Sequence, residues 1–501
     1  MKIIIVILLL LSYNSIVAQA QNVESDSSSS SATDTIFKLR VLDNAEIDIL
    51  SSFYKQQGAN AAVSGGIGTE ELTNFATSIS VAIPLTDDDI LSIDATISAY
   101  SSASSSNLNP FSGASDDSND GSGKKRISSG ASSGGDPGDD YKVIANSPWV
   151  ASSSEAKDDI WFGGNIAYSH YSDDRNNIYS VGFSAAKEYD YRSLGISLGY
   201  TRFFNSKNTE LAFKGNVFFD KWNPQYPAEL NHYADLNGDL DEGFFEYAVI
   251  LDKNGNPIDK DGPKVWSPNT AAIDDERRNT VALSMSLAQI LSKRAQVSFF
   301  VEPTFQYGWL ANPMQRVYFG DKSNYFIGNP SSVYIYNYTQ NTDVYHLADD
   351  IERLPSSRMK FPLGARFSYY LNKRFILKLY YRYYFDDWGI NSNTVKIELP
   401  IKLNHSWTLY PSYRFYNQSA AKYFAPYNKH LSTDSYYTSD YDLSQFSSNQ
   451  YGLGVKYKDG FTKLHLWKIA FKSLSLDYNY YRRNIEFDAH IVSLGITLVI
   501  K

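Results

Sequence analysis

The sequence predicts an all-β protein, a single transmembrane antiparallel β-barrel of about sixteen strands with short periplasmic turns and long extracellular loops. Three observations predict it. Apolar and polar residues alternate with a period of two over many short segments, which on a barrel wall separates a lipid face from a lumen face. Aromatic residues make up 15% of the chain, with 39 Tyr and 28 Phe, yet the mean hydropathy of -0.36 is that of a soluble protein. That combination suits strands in which only alternate residues meet lipid, with aromatic rings gathered at the two membrane interfaces. Short turns and longer connections also alternate along the chain, as they do in outer-membrane barrels.

The N-terminus comes first. Lys2, the apolar run Ile3 to Leu11 and then Ala18-Gln19-Ala20 have the basic, apolar and small-residue order of a secretory signal. The run is short for a retained membrane helix, which needs about 20 apolar residues. Residues 1–20 are therefore expected to be a cleaved signal peptide, 21–43 a flexible periplasmic leader and 44–501 the barrel. The leader is short, and nothing in it before Asn44 resembles a plug domain or a motif for energised transport.

The alternation is clearest late in the chain. From Thr394 to Leu403, Val395, Ile397, Leu399, Ile401 and Leu403 oppose Lys396, Glu398 and Lys402. Phe375 to Phe385 sets Leu377, Leu379 and Tyr381 against Lys378, Tyr380 and Arg382, and Phe361 to Leu371 joins it through the tight turn Asn372-Lys373-Arg374. The same test along the chain places strands near residues 49, 79, 96, 165, 182, 197, 214, 285, 302, 365, 380, 397, 412, 454, 474 and 494. The segment Asn44 to Tyr54 makes the number even, as bacterial single-chain barrels require, and puts both termini in the periplasm. Long connections are expected near 55–71, 101–158, 221–278, 310–357 and 418–448. Residues 101–140, rich in Ser, Gly and Asp, bury too little apolar surface to order themselves and are expected to form a mobile external loop.

Composition excludes several chemistries. With no cysteine, the chain has no disulfide, thiolate metal site, lipid-modified Cys or attached c-type haem. A net charge of -9 gives no reason to expect nucleic acid as a partner. No G-x-S-x-G elbow or Ser, His and carboxylate set stands at a recognisable spacing, so no enzyme is expected.

Asn44 to Asp48, Gly65-Gly66-Ile67-Gly68-Thr69-Glu70, Ser104 to Phe111, Lys221-Trp222-Asn223-Pro224-Gln225-Tyr226-Pro227, Tyr384 to Ile390 and Thr438 to Tyr441 form a set of order-preserving stretches. Together they resemble a known outer-membrane family, catalogued as domain of unknown function 3570. The likeness covers nearly all of the chain beyond the signal. It implies a barrel in the cell outer membrane but no mechanism, because the family has no settled activity. The terminus Val499-Ile500-Lys501 departs from the final aromatic that many outer-membrane proteins carry.

The alternation directs a set of charges to the lumen. Glu46, Asp48, Asp94, Lys214 and Glu302 come from the first half, and Arg366, Lys378, Arg382, Lys396, Glu398, Lys402, Arg414 and Lys456 from the second. Acidic groups dominate the earlier wall and basic ones the later wall. Opposed charges would orient a polar solute; alternatively the groups pair with one another in a closed interior. A second candidate is a calcium loop, with solvated hairpin turns as the alternative: Asp235, Asn237, Asp239, Asp241 and Glu246 approach its spacing of oxygen ligands, although Leu240 stands where such loops carry glycine. Trp388, Trp407, Trp467 and the Tyr-dense stretch Tyr423 to Tyr441 read as interface girdle or as a platform for a planar ligand. His405, His430 and His465 have no paired spacing for a transition metal. The expected function is a passive or gated channel for small polar solutes; the alternative is a non-conducting scaffold or sheath for an envelope protein partner. Its expected partners are outer-membrane lipid and the barrel-assembly and periplasmic chaperone machinery.

Overall fold

The computed structural model describes residues 40–104, 159–188, 191–223, 226–269, 276–335, 344–460 and 464–500. The expected signal, nearly all of the leader and the Ser/Gly/Asp-rich stretch beyond Ser104 lie outside the described residues.

Sixteen antiparallel strands make one closed sheet. They are β1 (Ala45–Gly58), β2 (Glu70–Pro84), β3 (Asp89–Ser104), β4 (Asp159–Tyr171), β5 (Asn177–Lys187), β6 (Tyr191–Phe204), β7 (Thr209–Trp222) and β8 (Arg277–Ser292). There follow β9 (Ala295–Val301, resuming as Thr304–Gly308), β10 (Ser357–Tyr370), β11 (Ile376–Asp386) and β12 (Asn391–Glu398, resuming as Ile401–Lys402). The last four are β13 (Trp407–Gln418), β14 (Phe446–Lys458), β15 (Ile469–Arg483) and β16 (Phe487–Ile500). Each pairs with its sequence neighbours, and β16 returns to β1 in a ladder running from Ala45↔Ile500 to Gly58↔Phe487. Every expected strand centre falls on this sheet, the one at residue 302 lying in the break of β9. Both breaks have the same cause. Pro303 and Pro400 stand in them, and proline has no N–H to give to a ladder.

The short connections after β2, β4, β6, β8, β10, β12 and β14 share one end of the barrel with both ends of the sheet; the longest connections leave from the other end. At the turn end, Asn372 and Asn404 accept backbone N–H groups two and three residues on, the Asx geometry that closes a tight hairpin.

Alternation gives the wall its two faces. Leu194 and Leu198 stay 64% and 63% exposed and Phe183 59%, an arrangement that water would penalise and lipid rewards. Between them Ser193, Ser197 and Ser184 point the other way. Arginine on the lipid face should therefore be far more damaging than arginine one residue along. Leu198→Arg, midway along β6, is expected to cost about 2–4 kcal/mol in urea unfolding of the folded, heat-modifiable barrel, and Ser197→Arg well under half of that.

Candidate functional site

The ladder fixes which side chains share the lumen. Across β10 to β14 at one height, the residues opposite the exposed apolar face are Arg366, Tyr380, Lys396, Arg414 and Gln450. One step nearer the loops lie Gly364, Arg382, Thr394 and Tyr416; one step nearer the turns lie Ser368, Lys378, Glu398 and Ser412. Of these, Arg366, Ser368, Lys378, Tyr380, Arg382, Thr394, Lys396, Glu398 and Arg414 line a recess of about 450 Å³ that holds five cationic side chains and one carboxylate. That carboxylate is shared. Glu398 takes Lys378 Nζ on Oε1 at 2.9 Å and Lys396 Nζ on Oε2 at 3.1 Å. Arg366 rests its guanidinium 5.0 Å from the Phe300 ring and 5.8 Å from that of Tyr380, and Arg382 lies 5.8 Å from Tyr384. Among the described residues no carboxylate pairs with Arg366, Arg382 or Arg414.

The recess continues toward the turn end. A neighbouring hollow adds Lys456 and Asp477, and a third of about 720 Å³ is lined by Lys373, Arg374, Lys402, His405, Lys456 and Lys458. The other predicted charges lie round the rest of the ring. Glu46 receives Lys472, Asp48 the hydroxyl of Thr497, Asp94 Ser80 and Asn165, and Glu302 Ser284. Lys214 is level with Ser284 on the next strand.

Over the loop end lies a cap that no local pattern in the sequence announces. The β7–β8 connection carries two helices, Ala228–Asp235 and Gly243–Tyr247. Its Ile250–Leu251 pairs with Phe326–Gly328 of the β9–β10 connection, which in turn pairs with Val344–His346. Leu230, Leu240, Phe245, Ile250 and Trp266 from the first connection and Tyr318, Ile327, Tyr345, Leu347 and Ile351 from the second bury one common core. Trp266 Nε1 donates to Ala348 O at 3.0 Å, satisfying the polar end of a fully buried ring.

Arg316 ties three connections together. It forks onto Glu229 (Nε to Oε1 2.6 Å, Nη2 to Oε2 3.0 Å) and donates from Nη1 to Val63 O at 2.8 Å. Its side chain and that of Glu229 are shut off from solvent. Val63 belongs to the β1–β2 connection, where Gly65 (φ 76°) and Gly66 (φ 91°) turn the chain in a left-handed conformation. A Cβ on Gly65 would come 2.7 Å from the Tyr318 ring, and one on Gly66 2.7 Å from Ser439 O in the β13–β14 connection. In a ring of sixteen, the β1–β2 and β9–β10 connections spring from opposite sides. Their contact therefore runs across the mouth. At its rim three arginines each sit over aromatic rings and pair with an aspartate: Arg278 with Asp220 over Trp222, Arg358 with Asp386 over Trp388, and Arg483 with Asp442 over Phe487.

The segment read as a possible calcium loop packs as follows. Asp235 ends a helix, Asn237 (φ 52°) and Gly238 (φ 83°) reverse the chain, Asp239 accepts the Asp241 N–H, Asp241 faces Lys260 at 3.8 Å, and Glu246 lies on the second helix. Leu240, at the position where such loops carry glycine, is buried in the cap core. Among the described residues no three His, Cys, Asp or Glu side chains converge on a metal position. Of the tryptophans, Trp407 is on the outer face against Tyr457 at 5.1 Å and Trp467 is 92% exposed at the turn end, whereas Trp388 is buried at the rim. The Tyr-dense stretch belongs to the cap: Tyr427 packs on Tyr318 and His346, and Tyr437 on Phe319.

A family model described as "Protein of unknown function (DUF3570)" matches residues 11–493. No curated protein sequence matches. Among solved structures the chain is similar to a bacterial polysaccharide outer membrane secretin, at 10% identity and a TM-score of 0.40 over 92% of this chain and 99% of that one. It is similar also to a BenF-like porin from Pseudomonas fluorescens Pf-5, at 8% identity and 0.36 over 91% and 98%. A third is OccK1 (OpdK) of Pseudomonas aeruginosa, at 8% identity and 0.33 over 92% and 99%.

The cap's buried ionisable groups make its stability depend on pH. Burial, with Asp440's charge nearby, pushes the Glu352 carboxyl up to about 8, and burial raises Asp349 to about 6. Burial between the Tyr318 and Phe326 rings depresses His346 to about 3. A raised carboxyl stabilises the cap below its unfolded pKa and loses that contribution as pH climbs through the folded value; a depressed histidine loses its contribution as pH falls below 6.5. From pH 6.5 to 8.5 the first effect acts alone. Proteolysis within residues 309–335 should accelerate over that interval, and Glu352→Gln, which keeps an acceptor for Asn312 N without a charge, should flatten the dependence.

Proposed function

The chain belongs to the DUF3570 family of proteins of unknown function, and we propose that it is a gated outer-membrane channel for small polar solutes, with its loop cap as the gate. One observation carries the proposal: connections rooted on opposite sides of the ring meet over a lumen lined with unpaired charge. A barrel wall that served only as scaffold would gain stability from neutralising or removing such groups, since buried charge without a partner is costly. Charge left facing a water-filled lumen costs little and acts on whatever enters.

In this proposal the cap end faces outward and the short turns and both termini face the periplasm, the usual disposition of long and short connections. The gate is cooperative, because the core of the cap is shared. Neither the β7–β8 nor the β9–β10 connection buries its apolar side chains alone, so release of one exposes the other. Arg316 couples these two to the β1–β2 connection through a single guanidinium.

Planar-bilayer recording of the full chain tests this. The wild type should open rarely. Arg316→Met leaves Glu229 buried without its partner, an imbalance of about 3–5 kcal/mol, and should raise the open fraction at least tenfold. If wild type and variant are both silent while heat-modifiable mobility shows them folded, the channel is refuted and a non-conducting sheath becomes the better reading.

A further inference from the structure

We infer that the recess on β10–β13 is a binding site for small organic anions bearing carboxylate groups, held by Arg366, Arg382 and Arg414. The inference deepens the channel proposal, and rests on it, by naming the class of solute.

The site is unusual in what it does not neutralise. Glu398 stands between Lys378 and Lys396 and is consumed by them, so both its oxygens are occupied. The three guanidiniums are left to the lumen. Arg366 and Arg414 are at one height, with Tyr380 and Lys396 between them, and Arg382 is one step nearer the cap. Guanidinium groups present paired N–H donors in a plane, a geometry that matches a carboxylate with two parallel hydrogen bonds. Gly364 adds no side chain beside Arg382, and the Phe300 ring leans over that gap: a Cβ on Gly364 would come 2.6 Å from its edge. Phe300 and Tyr380 lie nearly parallel at 5.9 Å, giving the recess an apolar flank. That flank favours an anion with a carbon skeleton over a bare inorganic ion.

The site also has an approach and an exit of the same sign. The recess shares Lys378 and Lys396 with the hollow below it, and that hollow shares Lys456 with the basic hollow at the turn end. A line of lysines, with Asp477 beside it in the middle hollow, therefore runs from mid-barrel to the short-turn mouth along one wall. On the far wall Asp48 and Asp94 would repel an anion toward it. Serial weak sites of one sign let a solute enter and still leave.

Two readouts on the full chain separate this inference from the channel proposal. Calorimetry with succinate needs no conduction. Binding is expected, with about a tenfold loss for each of Arg366→Gln, Arg382→Gln and Arg414→Gln, the scale of one charge-assisted hydrogen bond. Glu398→Gln, which frees two lysines, should tighten binding several-fold. In the Arg316→Met background, the reversal potential in a KCl gradient should show preference for chloride, and the three Arg→Gln changes together should move it toward potassium. Erythritol, of similar size and uncharged, should neither bind nor block. Succinate binding with no current in any variant would keep the site and refute the channel. Current that is indifferent to succinate and to all three arginines would refute the site and keep the channel. Inorganic phosphate binding as tightly as succinate would overturn the assignment to organic anions.

Discussion

Backbone hydrogen bonds in hydrocarbon admit no substitute partner, and the rest of this molecule depends on that constraint. A sheet crossing the membrane must end where it began. The ladder between β1 and β16 performs that closure over fourteen residue pairs, from the first strand of the sheet to the last. Closure removes the edge, fixes an even number of strands and places both ends of the sheet at the turn side. It also decides register, and register decides chemistry. A slip of one residue in β11 would send Lys378 and Arg382 into lipid and Leu379 and Tyr381 into the lumen.

The cap obeys a different rule. Outside the membrane, backbone groups can be satisfied by water, so its connections are held by burial and a few ion pairs instead of a continuous ladder. Its strands are two or three residues long and would not persist alone. Trp266, Phe245 and Tyr318 supply the apolar area, and Arg316 with Glu229 supplies direction. A buried ion pair is a poor source of net stability but a strong source of specificity, because either partner left alone is expensive. This suits the proposed gate, which would have to return to one closed arrangement.

The barrel was legible in the sequence because its rule is local. Val395, Ile397 and Leu399 against Lys396 and Glu398 announce a two-faced strand within a few residues, and Asn372 or Asn404 announces the turn. The cap was not legible, because Glu229, Arg316 and Val63 are remote from one another and each sits in a segment without periodicity. Gly65 and Gly66 stood in the sequence only as part of the stretch that carries the family resemblance; the reason for them, an approach to Tyr318 and Ser439, exists only after the ring has closed. The same remoteness governs the segment from Asp235 to Glu246. Asp235 to Asp241 has the spacing of an ion loop, and nothing nearby in sequence reveals that Leu240 belongs to a core assembled from another connection.

The charges divide the ring by strand, and that division has a physical consequence. Glu46 on β1 is paired with Lys472, but Asp48 on β1 and Asp94 on β3 have no cationic partner among the described residues and face bases on β10 to β14 across the lumen, which sets up a transverse field. Where cancellation does occur it is asymmetric: Asp94 is held by neutral donors, Ser80 and Asn165, while Glu398 is held by two lysines. The acidic wall thus keeps the charge of Asp48 and Asp94, and the basic wall loses only part of its positive charge. A solute with separated poles would turn in such a field, and one with carboxylates would be drawn to a single side. That side is also the one on which the cations continue to the turn end, through Lys456 to Lys402 and Arg374. In the proposed channel, orientation at mid-barrel and the direction of travel would then be set by one feature, the inward period-two positions of five neighbouring strands.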